Sequence, residues 1–169
     1  DESMWTSIVS PPGPLVTGPD GQKTLVEGAR RLRQNTDRAI IGLFGGNLLE
    51  SGQFLYRNDN FFVLMAADPD ATHDFLDNLV EIHLANLEKF LSAVGEYIDV
   101  IVFGDDLGMQ HSLPVSPSTW RRYLKPCFQA IYKPFKDAGA YVYMHTDGHI
   151  LEIIPDLIIS DVMMPKKDG

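Results

Sequence analysis

His145 and Asp147 stand two positions apart at what reads as the end of a β-strand, so extended geometry turns both side chains to one side of the sheet. Asp105 and Asp106 follow the preceding strand, and one of them can reach the same space. A neutral imidazole with one or two carboxylates suits zinc when a further donor completes the ion. The same groups can act as general acid and base, one carboxyl being raised in pKa by its neighbour. The catalytic candidates are therefore Asp105, Asp106 and His145, and the metal candidates are His145 and Asp147. A His-x-Asp pair recurs by chance, so simpler roles stand beside these. Asp105-Asp106 before Leu107-Gly108 can make turn and cap hydrogen bonds, and His145 can be a hydrogen-bonded strand-end histidine.

The remaining reactive side chains read as structural. His73, His111 and His149 fit surface or capping positions, and His83 falls on the apolar stripe of a helix as a core histidine. Cys127 reads as a small core hydrophobe. Phe44-Gly45-Gly46-Asn47 can form a phosphate-cradling turn, but it lacks the glycine spacing of a nucleotide-binding fingerprint.

The elements that must position these groups are legible from periodicity. Lys23 to about Asn35 predicts a helix with Leu25, Ala29 and Leu32 on one stripe. Ala39–Phe44 is a continuous apolar run ending at Gly45-Gly46, the pattern of a buried parallel strand. Asn47 to Leu64 is expected to be helical in parts. Pro69 or Asp70 to Val94 keeps the 3.6-residue period through Leu76, Leu79, Val80, Leu84, Leu87 and Leu91, with Asp68-Pro69 as cap and Gly95 as stop. Ile98–Phe103 is a strand. A helix from Ser116-Pro117 to Ala138-Gly139 holds Pro126 and Pro134, which predict a kink or break. Ala140–His145 is the third strand, Ile150–Ile154 a short helix, and Leu157–Met163 a fourth strand.

Strands alternating with helices imply an α/β fold with a parallel sheet. These are parallel βα units of the TIM-barrel type, and a closed barrel typically needs about 250 residues. A chain of 169 residues is therefore expected to form an incomplete barrel, about half of one. The expected organisation is an irregular segment 1–22, a partial barrel 23–158 and an atypical strand and tail 159–169.

Bulk properties remove several partner classes. The net charge of −9 leaves no basic stripe to neutralise phosphates, which argues against nucleic acid and anionic membranes. No apolar run approaches the ~20 residues of a spanning helix. A single cysteine excludes an internal disulfide and a Cys-only zinc site, and places the chain in the cytoplasm. Unpaired sheet edges in an incomplete barrel favour a homodimer.

Four runs together resemble the uroporphyrinogen decarboxylase superfamily, over roughly Ala39 to Leu157. They are Phe103-Gly104-Asp105-Asp106-Leu107-Gly108, Val115-Ser116-Pro117, Leu124-Lys125-Pro126 and Met144-His145-Thr146-Asp147-Gly148. The resemblance implies a TIM barrel with its active site at the C-terminal mouth. One branch decarboxylates the acetate arms of a tetrapyrrole without a cofactor, using an aspartate and arginines of an N-terminal segment that has no match here. The other binds zinc through histidine and cysteines and passes methyl groups between a corrinoid protein and a thiol or another acceptor. Its strand end reads His-x-Cys-Gly, where this chain has His145-Thr146-Asp147-Gly148. The resemblance thus favours a metal-assisted, corrinoid-linked methyltransferase-like enzyme; a decarboxylase acting on a tetrapyrrole and a non-catalytic, dimerising half-barrel are the alternatives. From about Pro155 the chain also resembles the phosphoacceptor strand of a response-regulator receiver, with Asp161 at the phosphorylated position, although the favoured reading of this run is the family's own strand with an atypical or grafted end.

Overall fold

The computed structural model describes residues 20–137 and 141–159, with side chains of the second segment described to 157. Among these residues are six helices and three strands: α1 (Gly21–Gln34), β1 (Ile41–Gly45), α2 (Leu49–Tyr56), α3 (Asn58–Ala67), α4 (Pro69–Val94), β2 (Val100–Gly104), α5 (Pro117–Asp137), β3 (Tyr141–His145) and α6 (Ile154–Ile159). The strands form one parallel sheet in the order β1-β2-β3. The α/β expectation with a parallel sheet holds. The first 19 residues, the stretch 138–140 and Asp161 lie outside the described residues, so the irregular N-terminal segment and the receiver-like position do too.

Alternation along the strands divides the sheet into two unlike faces. Phe44, Ile101 and Phe103 are fully buried on one of them. Phe90 of α4 meets the Phe44 ring edge-on at 5.8 Å, and Tyr132 and Phe135 of α5 lie 4.9 and 5.5 Å from the Phe103 ring. The two crossover helices therefore cover the same face. Gly42 lies beneath them because a Cβ there would stand 2.9 Å from the Ile98 side chain and 3.2 Å from Phe90. The opposite face carries Ile41, Leu43, Tyr141 and Tyr143, each more than half exposed.

Helix α4 starts as its sequence predicts. The Asp68 carboxylate accepts from the Ala71 N–H at 3.0 Å, Pro69 occupies the first turn, and the Gly95 N–H closes on the Leu91 carbonyl at 2.8 Å. Helix α5 is likewise capped, by Ser116 Oγ accepting from the Thr119 N–H at 3.1 Å. The expected break at its prolines is absent: α5 runs unbroken through Pro126 and Pro134. Both prolines lie on the exposed side, eight positions apart, so the carbonyls they leave without a donor face water.

Two other expectations need correction. Leu25 and Ala29 of the predicted α1 stripe pack, partly buried, against the core, whereas Leu32 is 52% exposed. Helix α1 is further tied down by Arg33, which donates to the Tyr97 carbonyl at 2.8 Å and pairs with Asp99. The short helix expected over Ile150–Ile154 begins only at Ile154, and Leu157–Ile159 continue it rather than starting a fourth strand. Arg121 and Lys125 of α5, each 2.8 Å from the Asp156 carboxylate, clamp that helix in place. Within the described residues the sheet therefore has three strands, not four.

Candidate metal centre at the strand ends

Beyond β2 and β3 the chain forms two loops that cross. The Asp105 N–H donates to the His145 carbonyl at 3.1 Å, the last rung of the parallel ladder. The Leu107 N–H then donates to Thr146 Oγ1 at 2.9 Å, and the His149 N–H to the Met109 carbonyl at 2.7 Å. Gly108 and Gly148 meet where the loops cross. A Cβ on Gly108 would sit 2.5 Å from the His149 nitrogen and 2.6 Å from the Gly148 carbonyl carbon. Gly148 also takes φ 84°, a left-handed conformation that glycine adopts without a Cβ clash. Only glycine lets the two backbones approach so closely.

This crossing gathers Asp106, His145 and Asp147. Their ligand-capable atoms all lie within 4.8 Å of one another, and the cluster is open to solvent. His145 Nε2 and Asp147 Oδ1 are 3.8 Å apart. The Asp147 N–H donates to Asp106 Oδ1 at 3.2 Å, which orients that carboxylate toward the pair. One imidazole nitrogen and two carboxylate oxygens are each donors that zinc accepts, and three is the number of protein ligands that leaves it an open position. Ligand atoms around a tetrahedral zinc stand about 3.3 Å apart for bonds of about 2 Å. Small rotations of these exposed side chains close the difference, so the residues present fit the ion.

Asp105 occupies a different place. It is 1% exposed, and its carboxylate accepts from the N–H groups of Leu48 (3.0 Å), Leu49 (2.7 Å) and Glu50 (2.9 Å). It caps α2, whose own N-cap residue, Leu48, has no oxygen to offer. Burial pushes the Asp105 carboxyl up to about 7, against the lowering effect of the three N–H bonds. The structural role weighed for Asp105 in the sequence is the one that its contacts display. Alternation could have separated the two aspartates: the period that buries Ile101 and Phe103 also carries Asp105 inward and Asp106 outward.

The Phe44–Asn47 turn follows from the same contacts. Gly45 and Gly46 take φ values of 88° and 74°, and a bulge between Leu43 and Gly45 turns the chain into α2. The N–H groups that a phosphate would seek here are occupied by the chain's own carboxylate. His83, a core histidine as expected, completes the arrangement. It is fully buried, and its Nε2 donates to the Asn47 carbonyl at 3.0 Å. Burial lowers its pKa to about 4, leaving the ring neutral. Sequence alone gave no sign that His83 and Asp105 hold one helix start from two sides.

The other candidates stay apart from the cluster. His73 and His111 are exposed, and His73 lies against the Tyr123 ring at 4.9 Å. Cys127 is buried in α5, with its thiol pushed up to about 11 chiefly by burial. An apolar pocket of about 200 Å³ lies behind β3, lined by Tyr132, Val142, Met144, Ile150 and Leu157 among others. No helix among the described residues is long and apolar enough to cross a membrane. Comparison with protein-family models, with curated proteins and with solved structures gives no match to this chain.

Proposed function

We propose that this chain supplies strand-end ligands for a divalent metal, zinc in the first instance, in a barrel-type enzyme of the uroporphyrinogen decarboxylase superfamily, on its methyltransferase-like branch. One observation carries the reading: three donor atoms within 4.8 Å of one another at the C-terminal ends of two neighbouring parallel strands. Active sites of parallel βα folds are built at that end. A sheet in sequence order with its crossover helices on one face is also how a barrel segment is laid out.

In this reading His145 supplies the nitrogen ligand, and Asp106 and Asp147 supply oxygens. The Asp147 N–H holds Asp106 in orientation, and the Gly108–Gly148 crossing fixes the distance between the two loops. Zinc bound there supplies Lewis acidity, lowering the pKa of a thiol or water in its open position. With two carboxylates in place of thiolates the set is harder than a His/Cys site, which favours an oxygen or nitrogen acceptor over a thiol as the group receiving methyl. A corrinoid protein is the methyl donor that the family resemblance implies.

Equilibrium dialysis against zinc, followed by elemental analysis of the folded protein, tests the ligand set. Wild type is expected to retain about one zinc per chain, the ratio for one three-ligand site. His145→Ala and Asp106→Asn should each lose it with their circular dichroism unchanged. Full stoichiometry in His145→Ala would overturn the assignment. Zinc in neither protein would favour the cofactor-free decarboxylase alternative or a non-catalytic half-barrel.

A further inference from the structure

Thr146 stands between two of the three donor-bearing residues, and its hydroxyl holds the neighbour of the third. Alternation at the end of β3 leaves His145 and Asp147 exposed and turns the half-buried Thr146 to the opposite side, so Thr146 is not itself a donor. From that side its Oγ1 accepts from the Leu107 N–H at 2.9 Å. Leu107 follows Asp106 directly and is 1% exposed, so its N–H depends on an acceptor within the protein. The bond falls where the parallel ladder between β2 and β3 ends. The last backbone rung runs from the Asp105 N–H to the His145 carbonyl at 3.1 Å. Two residues further along each segment, the amides donate to side chains instead: Leu107 to Thr146, and Asp147 to Asp106 Oδ1 at 3.2 Å. Main-chain pairing thus stops at the cluster, and two side-chain bonds hold the strand ends together. The second of them occupies a donor's own carboxylate; the first leaves all three donors free.

We infer that Thr146 is a positioning residue for the metal: by holding the Leu107 N–H, its hydroxyl sets Asp106 against His145 and Asp147. The inference rests on the metal reading proposed above and adds to it a residue that never touches the ion. Glycines at the crossing make room for the two loops, whereas the Thr146 bond ties them together one residue from each donor. Threonine suits the task because its branched Cβ restricts χ1, so the hydroxyl keeps one direction. Groups that orient metal ligands from outside the coordination sphere are typically worth about 10–100-fold in affinity.

Zinc affinity of the full chain, measured by competition with a chromophoric chelator, tests this in wild type, Thr146→Val and Thr146→Ser. Valine keeps the branched shape and removes the acceptor; serine keeps the acceptor. All are compared at a temperature where circular dichroism shows them folded, so that lost stability is not counted as lost affinity. Thr146→Val should bind zinc at least about 10-fold more weakly than wild type, and Thr146→Ser should recover most of that loss. Cobalt(II) in place of zinc should give an altered visible spectrum in Thr146→Val and the wild-type spectrum in Thr146→Ser. A loss of stability alone does not change donor geometry in that way. If Thr146→Val does not fold, Thr146→Ala replaces it. Wild-type affinity and spectrum in the folded variant would overturn the role of Thr146 while leaving the three donors assigned. Equal weakening in the valine and serine variants would overturn it too, since the hydroxyl would not then be what matters. A wild type that takes up neither ion overturns the metal reading itself, and this role with it.

Discussion

The Asp105 carboxylate lies 2.7 Å from the Leu49 N–H, joining the end of β2 to the start of α2 across 56 positions of sequence. The same carboxylate also takes the N–H groups of Leu48 and Glu50. Removing it strands three donors at a buried helix end. Asp105→Ala should therefore cost about 3 kcal/mol, measured by urea unfolding. Asp105→Asn keeps one acceptor oxygen for Leu48 and Leu49 but turns an amide toward Glu50, and should cost about 1 kcal/mol. Equal losses in the two variants would mean that the cap bonds contribute nothing.

Asp105 and His83 give opposite pH dependences in overlapping windows. Burial raises Asp105 from 3.8 to about 7, so the folded state holds more protons there than the unfolded chain. Its contribution is fully present below pH 3.8 and lost as pH rises through 7. Burial lowers His83 from 6.5 to about 4, so its contribution is present above pH 6.5 and lost as pH falls through 4. Wild type should accordingly show a shallow melting-temperature profile between pH 4 and 6.5. His83→Gln should unmask a fall with rising pH, and Asp105→Asn a rise. Parallel profiles for all three proteins would contradict both shifts.

The crossing of Gly108 with Gly148 tolerates no side chain. Gly108→Ala places a methyl 2.5 Å from the His149 nitrogen, a contact that backbone on both sides must move to relieve. It should destabilise by more than about 2 kcal/mol and, by parting the two loops, abolish zinc retention. Gly28→Ala is the counter-case: no atom of the described residues lies within 4 Å of its Cβ position in α1. That variant should gain about 0.5–1 kcal/mol in thermal unfolding.

Arg57 joins α2 to α3 at φ 69° and ψ 151°, a conformation that costs a residue with a Cβ about 1–3 kcal/mol. Its side chain is largely exposed and pairs only at the surface with Asp59. Arg57→Gly should stabilise the protein by about 1 kcal/mol, the relieved strain less the added chain entropy of glycine. A loss of stability by chemical denaturation would show that the surface pair matters more than the strain.

What could be read in the sequence was what depends on neighbours. Capping at Asp68-Pro69 and Ser116-Pro117, the apolar period of α4 and the β-branched run into Gly104 all act within a few residues, and the helices and strands there appear where expected. Asp106, His145 and Asp147 were legible for the same reason, since each follows directly from the end of a strand. For Asp105 a capping role was open in the sequence, but its partners were not, because they lie more than 50 positions away and no local rule names them. The prolines of α5 misled because their cost depends on which side of the helix meets water. Leu157 to Ile159 misled because a β-branched apolar run serves a short helix as readily as a strand once Arg121 and Lys125 are placed to grip Asp156.

The Asp105 cap also sets an order of folding. Helix α2 has eight residues, too few to hold together in isolation, and its first turn is finished by a group that arrives only when β2 docks beside β1. The chain must therefore close a long loop, with α3 and α4 inside it, before α2 has its lasting hydrogen bonds. Substitutions within α2 should chiefly speed unfolding and leave the folding rate nearly unchanged, whereas those at the β1–β2 pairing should slow folding itself. A helix early in sequence is thus a late event in time.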